Sequence, residues 1–116
     1  MTQTTTKPNH KLRVGDILRC SWGYEQTNQD YYQVTRLAGR TMVELRRIGV
    51  DSRETGFMRG LCKPLRNRFI GGPIRRRVQQ YSAVAINSYQ YAFPEEPVGY
   101  RGNKPVYRAH HWSSYA

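Results

Sequence analysis

Nowhere in this chain does an apolar pattern run at helical spacing long enough for an ordinary helix. Short β-prone stretches alternate instead with clusters of Gly, Asn, Asp and Pro. This pattern disfavours alternating strands and helices and points to a sheet wound on itself. Residues 31–37 combine aromatic and β-branched side chains. After Ala38, Gly39 and Arg40, strand chemistry resumes over residues 41–48, so the two runs read as a hairpin. In its second arm Thr41, Val43 and Leu45 alternate with Met42, Glu44 and Arg46, the period of a sheet with one wetter face. Residues 42–47 also include good helix formers, but Gly39 and Gly49 bracket them too tightly for three helical turns.

Three more strands are expected. One enters after the Gly15-Asp16 turn and carries Ile17, Leu18 and Cys20; the others span residues 74–81 and 83–93, the last with Val84 and Ile86 on one face. Residues 21–30 hold the turn-forming set and read as a long loop. Residues 49–73, rich in Gly and scattered charge, read as an elaborated loop with a helical turn. The expected fold is thus all-β: a small five-stranded, SH3-like bent sheet or partly closed barrel with long loops and irregular tails.

At 116 residues there is room for one domain. We expect a flexible arm over residues 1–10, a β-rich domain over 11–93 and a Pro/Gly-rich tail over 94–116. The late aromatics Tyr107, Trp112 and Tyr115 suit a tail that folds back over an edge strand. No run is long and apolar enough to span a bilayer, and the N-terminus carries no apolar leader, which points to the cytoplasm. Cys20 and Cys62 are too few for a disulfide framework and are expected to be buried.

Charge decides the expected function. Nineteen Lys and Arg against eight acids give +11, and fifteen of the nineteen are Arg, whose planar fork suits phosphate or carboxylate. Twelve of these cations fall between Arg36 and Arg77 against three acids, leaving +9 there, densest at Arg75, Arg76 and Arg77. In a strand that triplet alternates faces, so two side chains share one side and the third pairs or turns inward. Aromatics lie close by: Tyr31, Tyr32, Phe69 and Tyr81. For each of those four rings the core is the favoured home, whereas Trp22 and Tyr24, in a polar stretch, are the candidates for exposure. The expected nucleic-acid contacts are Arg66, Arg68, Arg75, Arg76 and Arg77 on phosphates, with Trp22 or Tyr24 stacking on a base.

Catalysis is not expected. Asp16, Glu25 and Asp30 are the acids of the first forty residues, and three convergent carboxylates are what a metal-dependent nuclease needs, but turn chemistry and loop solvation account for each. His10, His110 and His111 fall in the expected arm and tail, where a base lacks a packed surround, and no local pattern pairs a histidine with Cys20 or Cys62. Gly71-Gly72-Pro73 is a turn and not a phosphate cradle. No cofactor is called for.

The segment VGDIL at residues 14–18 followed by SWGYEQTNQDYYQVT at 21–35 resembles a family of small uncharacterised proteins carried by bacteriophages, plasmids and bacterial genomes. The likeness continues through TMVELRRIG (41–49), GFMRGLCKP (56–64), RRRV (75–78) and AINSYQYAFP (85–94). It lends context and no established activity: an accessory protein of a mobile element. It implies that the polar stretch with Trp22, Tyr24, Glu25, Gln26, Thr27, Asn28 and Asp30 belongs to the functional surface, against the alternative of a loop bonded to its own backbone. Two partners follow as expectations. The first is nucleic acid. The second is a host defence protein or ribonucleoprotein, inhibited on its acidic or RNA-carrying face in the manner of anti-CRISPR or anti-restriction proteins.

Overall fold

The computed structural model describes residues 10–23 and 26–113. Among them the chain forms ten strands, all paired antiparallel: β1 Ile17–Trp22, β2 Asn28–Ala38, β3 Met42–Gly56, β4 Arg59–Phe69, β5 Ile74–Arg77, β6 Val84–Ala85, β7 Tyr91–Glu95, β8 Gly99–Arg101, β9 Lys104–Val106 and β10 His110–Ser113. Eight lie in one sheet, ordered β10-β4-β3-β2-β1-β7-β6 with β5 added to β3; β8 and β9 form a separate hairpin. The all-β reading therefore holds, but ten strands in two sheets replace the five expected, and the ladder does not close.

β3 explains the extra strands. It is fifteen residues long, and β2 occupies one edge of its first half. Its other edge is divided: β5 pairs with residues 42–45 and β4 with the length beyond Ile48. The expected loop at 49–73 is in fact the β3–β4 hairpin, turned at Phe57 and Met58; along β4 the buried residues Gly60, Cys62 and Pro64 alternate with the less buried Arg59, Leu61 and Lys63, which is strand spacing. The expected loop at 21–30 shrinks likewise. β1 runs to Trp22 and β2 starts at Asn28, with Gly23 at φ +136° in the reversal, where a Cβ would run into the Gln26 carbonyl. The run at 83–93 is two strands, because Asn87 bonds the backbone of Tyr89 and Gln90 and bends the chain.

Two separate clusters are buried, one on each face. Leu12, Leu18, Cys20, Tyr32, Val34, Val43, Leu45, Val84 and Ala92 form the first; Ile17, Tyr31, Ile48, Cys62 and Tyr107 form the second, with Trp112 and Phe69 packed against it. Neighbours such as Ile17/Leu18 and Tyr31/Tyr32 belong to different clusters, as opposite pointing along a strand requires. The sheet curls around each. The Val78–Val84 bridge brings the end of β5 to β6 over the first cluster, and the Thr27–Ser113 bridge brings β10 to the start of β2 beside the second.

Regular structure continues past Phe93 through β8, β9 and β10. Cross-strand polar bonds hold β10: Glu95 takes Arg19 on one oxygen and His110 on the other, and Gln29 donates to the His111 carbonyl at 2.8 Å. Opposite Trp112 stands Gly60, where a Cβ would meet the indole ring at 2.7 Å and also the Arg53 carbonyl. Gly60→Ala is expected to destabilise the protein by about 1–3 kcal/mol, the usual range for overpacking. Urea denaturation reads the loss, and faster amide exchange over residues 110–113 shows that β10 has been displaced.

Candidate nucleic-acid interface

Alternation sorts the triplet on β5. Arg75 and Arg77 are exposed on the face shared with their register partners Glu44 and Met42. Arg76 points the other way, donating to the Ile86 carbonyl from Nε and Nη2 at 3.4 and 3.3 Å and to the Arg75 carbonyl at 2.9 Å. β2 extends the exposed rows, because Arg36 lies opposite Glu44 and Ala38 opposite Met42. The result is a row Arg36, Glu44, Arg75 beside a row Ala38, Met42, Arg77. Glu44 is engaged within it: Arg36 Nη2 reaches it at 3.5 Å, and Thr35 Oγ1 donates to its Oε1 at 3.1 Å. Among the described residues Arg75 and Arg77 have no carboxylate partner. They sit about 6.8 Å apart along the strand, by strand geometry.

A bulge sets Arg66 and Arg68. Between Ile48 and Val50 of β3 the opposing strand passes from Phe69 to Pro64, so residues 65–68 loop outward. Asn67 takes φ +68° there, and buried Gln33 clamps it twice, donating to Oδ1 and accepting from the Asn67 backbone N–H, both at 2.7 Å. The clamp accounts for the burial of this polar side chain, since both ends of its amide are bonded. On either side of Asn67 the two arginines diverge. Arg66 leans over Gly15, and the stem of Arg68 packs on Gly49. The structure thus brings Arg75 and Arg77 together, adds Arg36, turns Arg76 away, and leaves Arg66 and Arg68 at a separate place on the same edge of β3.

Trp22 is 38% exposed, and its indole N–H donates to Asp30 Oδ2 at 2.7 Å, while Arg47 reaches the other oxygen at 2.7 Å. Tyr24 and Glu25 lie outside the described residues. Asp30 is therefore committed to Trp22 and Arg47, and Asp16 accepts the Arg13 N–H at 2.9 Å in its turn; no group of three potential metal ligands occurs among the described residues. Cys20 and Cys62 are both buried, and burial pushes both thiols up, which disfavours the thiolate a nucleophile needs. The Cys62 Sγ lies 3.9 Å from the Tyr31 hydroxyl.

Of the four rings flagged near the charge, Tyr31 and Tyr32 are core, and Phe69 packs beneath Arg46, whose guanidinium carbon is 4.6 Å from the ring centre. Tyr81 stands 84% exposed. Phe93, Tyr89, Tyr91 and Tyr100 are exposed as well, and sequence reading did not single them out. The available signal was their place on short strands and turns of the C-terminal third. Pairing uses only the backbone there, and Phe93 and Tyr91 lie on the opposite side from buried Ala92.

Comparison with known proteins gives no matching family model, no matching curated protein and no matching solved structure. No helix among the described residues is long and apolar enough to cross a membrane.

Asp30→Ala is expected to release Trp22 and Arg47 together. Tryptophan emission should shift to the red, with a stability loss of about 1 kcal/mol or less, as for an exposed ion pair.

Proposed function

We propose that this chain is a non-enzymatic nucleic-acid-binding accessory protein of a phage or other mobile element, acting in the cytoplasm. Its primary contact is the basic face of β2, β3 and β5. The observation that carries this reading is the pair of rows in which Arg36, Arg75 and Arg77 surround one carboxylate already engaged by its neighbours. Cations held at strand spacing on a rigid sheet neutralise successive phosphates and release their counterions. The first lobe, from β1 to β3 with β5 to β7 curled around its cluster, serves in this reading as an SH3-like scaffold. The +11 net charge adds long-range steering.

Anisotropy of labelled nucleic acid across a salt series tests the proposal. Arg75→Ala/Arg77→Ala is expected to weaken binding and to reduce the slope of log affinity against log salt by about 1.5, near the value for two phosphate contacts. Arg76→Ala is expected to leave that slope alone and to lower stability by about 1 kcal/mol through its lost bonds to the Ile86 and Arg75 carbonyls. No binding at low salt would overturn the proposal and direct attention to an acidic protein partner of host defence.

A further inference from the structure

Two concavities adjoin at one ridge. The larger, of about 940 Å³, lies between the start of β1, the bulge of β4 and the β8–β9 hairpin; the smaller, of about 560 Å³, lies beside β7. Tyr81, Pro94, Glu95 and Glu96 line both. Arg66 lines the larger and Arg108 the smaller, so a cation stands on each side of the ridge. Of the two ridge carboxylates, Glu95 is turned onto Arg19 and His110, whereas Glu96 is exposed and has no ion pair among the described residues. Tyr81 crowns the ridge at 84% exposure, with Phe93 on the smaller side at 53% and Tyr100 on the larger at 68%.

The backbone presents Tyr81 at a cost. Tyr81 and Ser82 take φ +61° and +57°, two successive non-glycine residues in the left-handed region. That conformation is uncommon for a bulky residue and is concentrated at functional sites. Among the described residues neither side chain has a hydrogen-bond partner that offsets it. Exposed flat rings between cations are what an unpaired base and its flanking phosphates require, since stacking needs a free π-face and a duplex hides its own.

We propose that this ridge is a stacking platform for single-stranded nucleic acid: a base rests on Tyr81, a neighbour meets Phe93 or Tyr100, and Arg66 and Arg108 take the phosphates to either side. The inference rests on the nucleic-acid reading of the basic face and goes beyond it by naming the polymer state and a second contact.

The experiment compares labelled single-stranded RNA, single-stranded DNA and a duplex of the same sequence at one fixed salt concentration. The single strands are expected to bind at least tenfold tighter than the duplex, and the two single-stranded arms identify the preferred sugar. Tyr81→Ala should weaken single-strand binding about tenfold, in the range of one lost stacking contact, and Tyr81→Phe should preserve it. Tyr81→Gly separates function from folding: glycine accepts the left-handed backbone, so the melting temperature should not fall while binding does. Equal binding of duplex and single strand, or full binding by Tyr81→Ala while Arg75→Ala/Arg77→Ala is impaired, overturns the platform and leaves the basic face standing. Absence of binding by every probe overturns both.

Discussion

Once β2 has paired with the first half of β3, a single β3 edge remains, and the rest of the molecule follows from how that edge is divided. β5 takes residues 42–45 and β4 takes the length beyond Ile48. The division is enforced at Gly49, where the bulge of residues 65–68 interrupts the ladder and Gln33 pins Asn67 from within the sheet. Had β4 continued along the whole edge, β5 would have had nowhere to pair. Arg75 and Arg77 would then not share rows with Arg36. The same bulge carries Arg66 to the cavity wall.

Division of the edge also lets the sheet curl both ways. β2 and β3 become a common wall with a cluster on either face, so Tyr31, Tyr32, Gln33 and Val34 are buried in succession. Small domains commonly leave one sheet face to water. Here β10 covers part of that face, fixed by the Glu95 bonds to Arg19 and His110 and by the fit of Trp112 over Gly60. Little of the second cluster is then left for solvent, and the exposed aromatics gather in the C-terminal third, with Phe57 at the β3–β4 turn and Trp22 at the end of β1 outside it.

Legibility in the sequence tracked locality. The β2–β3 hairpin was readable because Val43 and Leu45 alternate with Glu44 and Arg46 and a Gly turn lies between the strands. The split of the Arg75 to Arg77 triplet was readable for the same reason, since strand alternation alone forces it. Two-sided burial was not: YYQV looks the same whether one face or both are covered, and the cover comes from β10, about eighty residues away. Nor was the β3–β4 hairpin legible, because Gly60 and the residues of the bulge resemble loop chemistry until Trp112 and Gln33 are placed against them. Tyr81 was visible as a ring near charge, but its exposure depends on a backbone conformation that no local pattern announces.

On the proposed function, nucleic acid lies along the basic face of β2, β3 and β5. Amide chemical-shift mapping of the whole chain during titration with a short single-stranded oligonucleotide tests it most directly. The largest changes are expected at Arg36, Glu44, Arg75 and Arg77, extending to Tyr81 and weakening as salt is raised. Changes confined to the Trp22, Asn28 and Asp30 end of β1 and β2, with β5 unmoved, would contradict it.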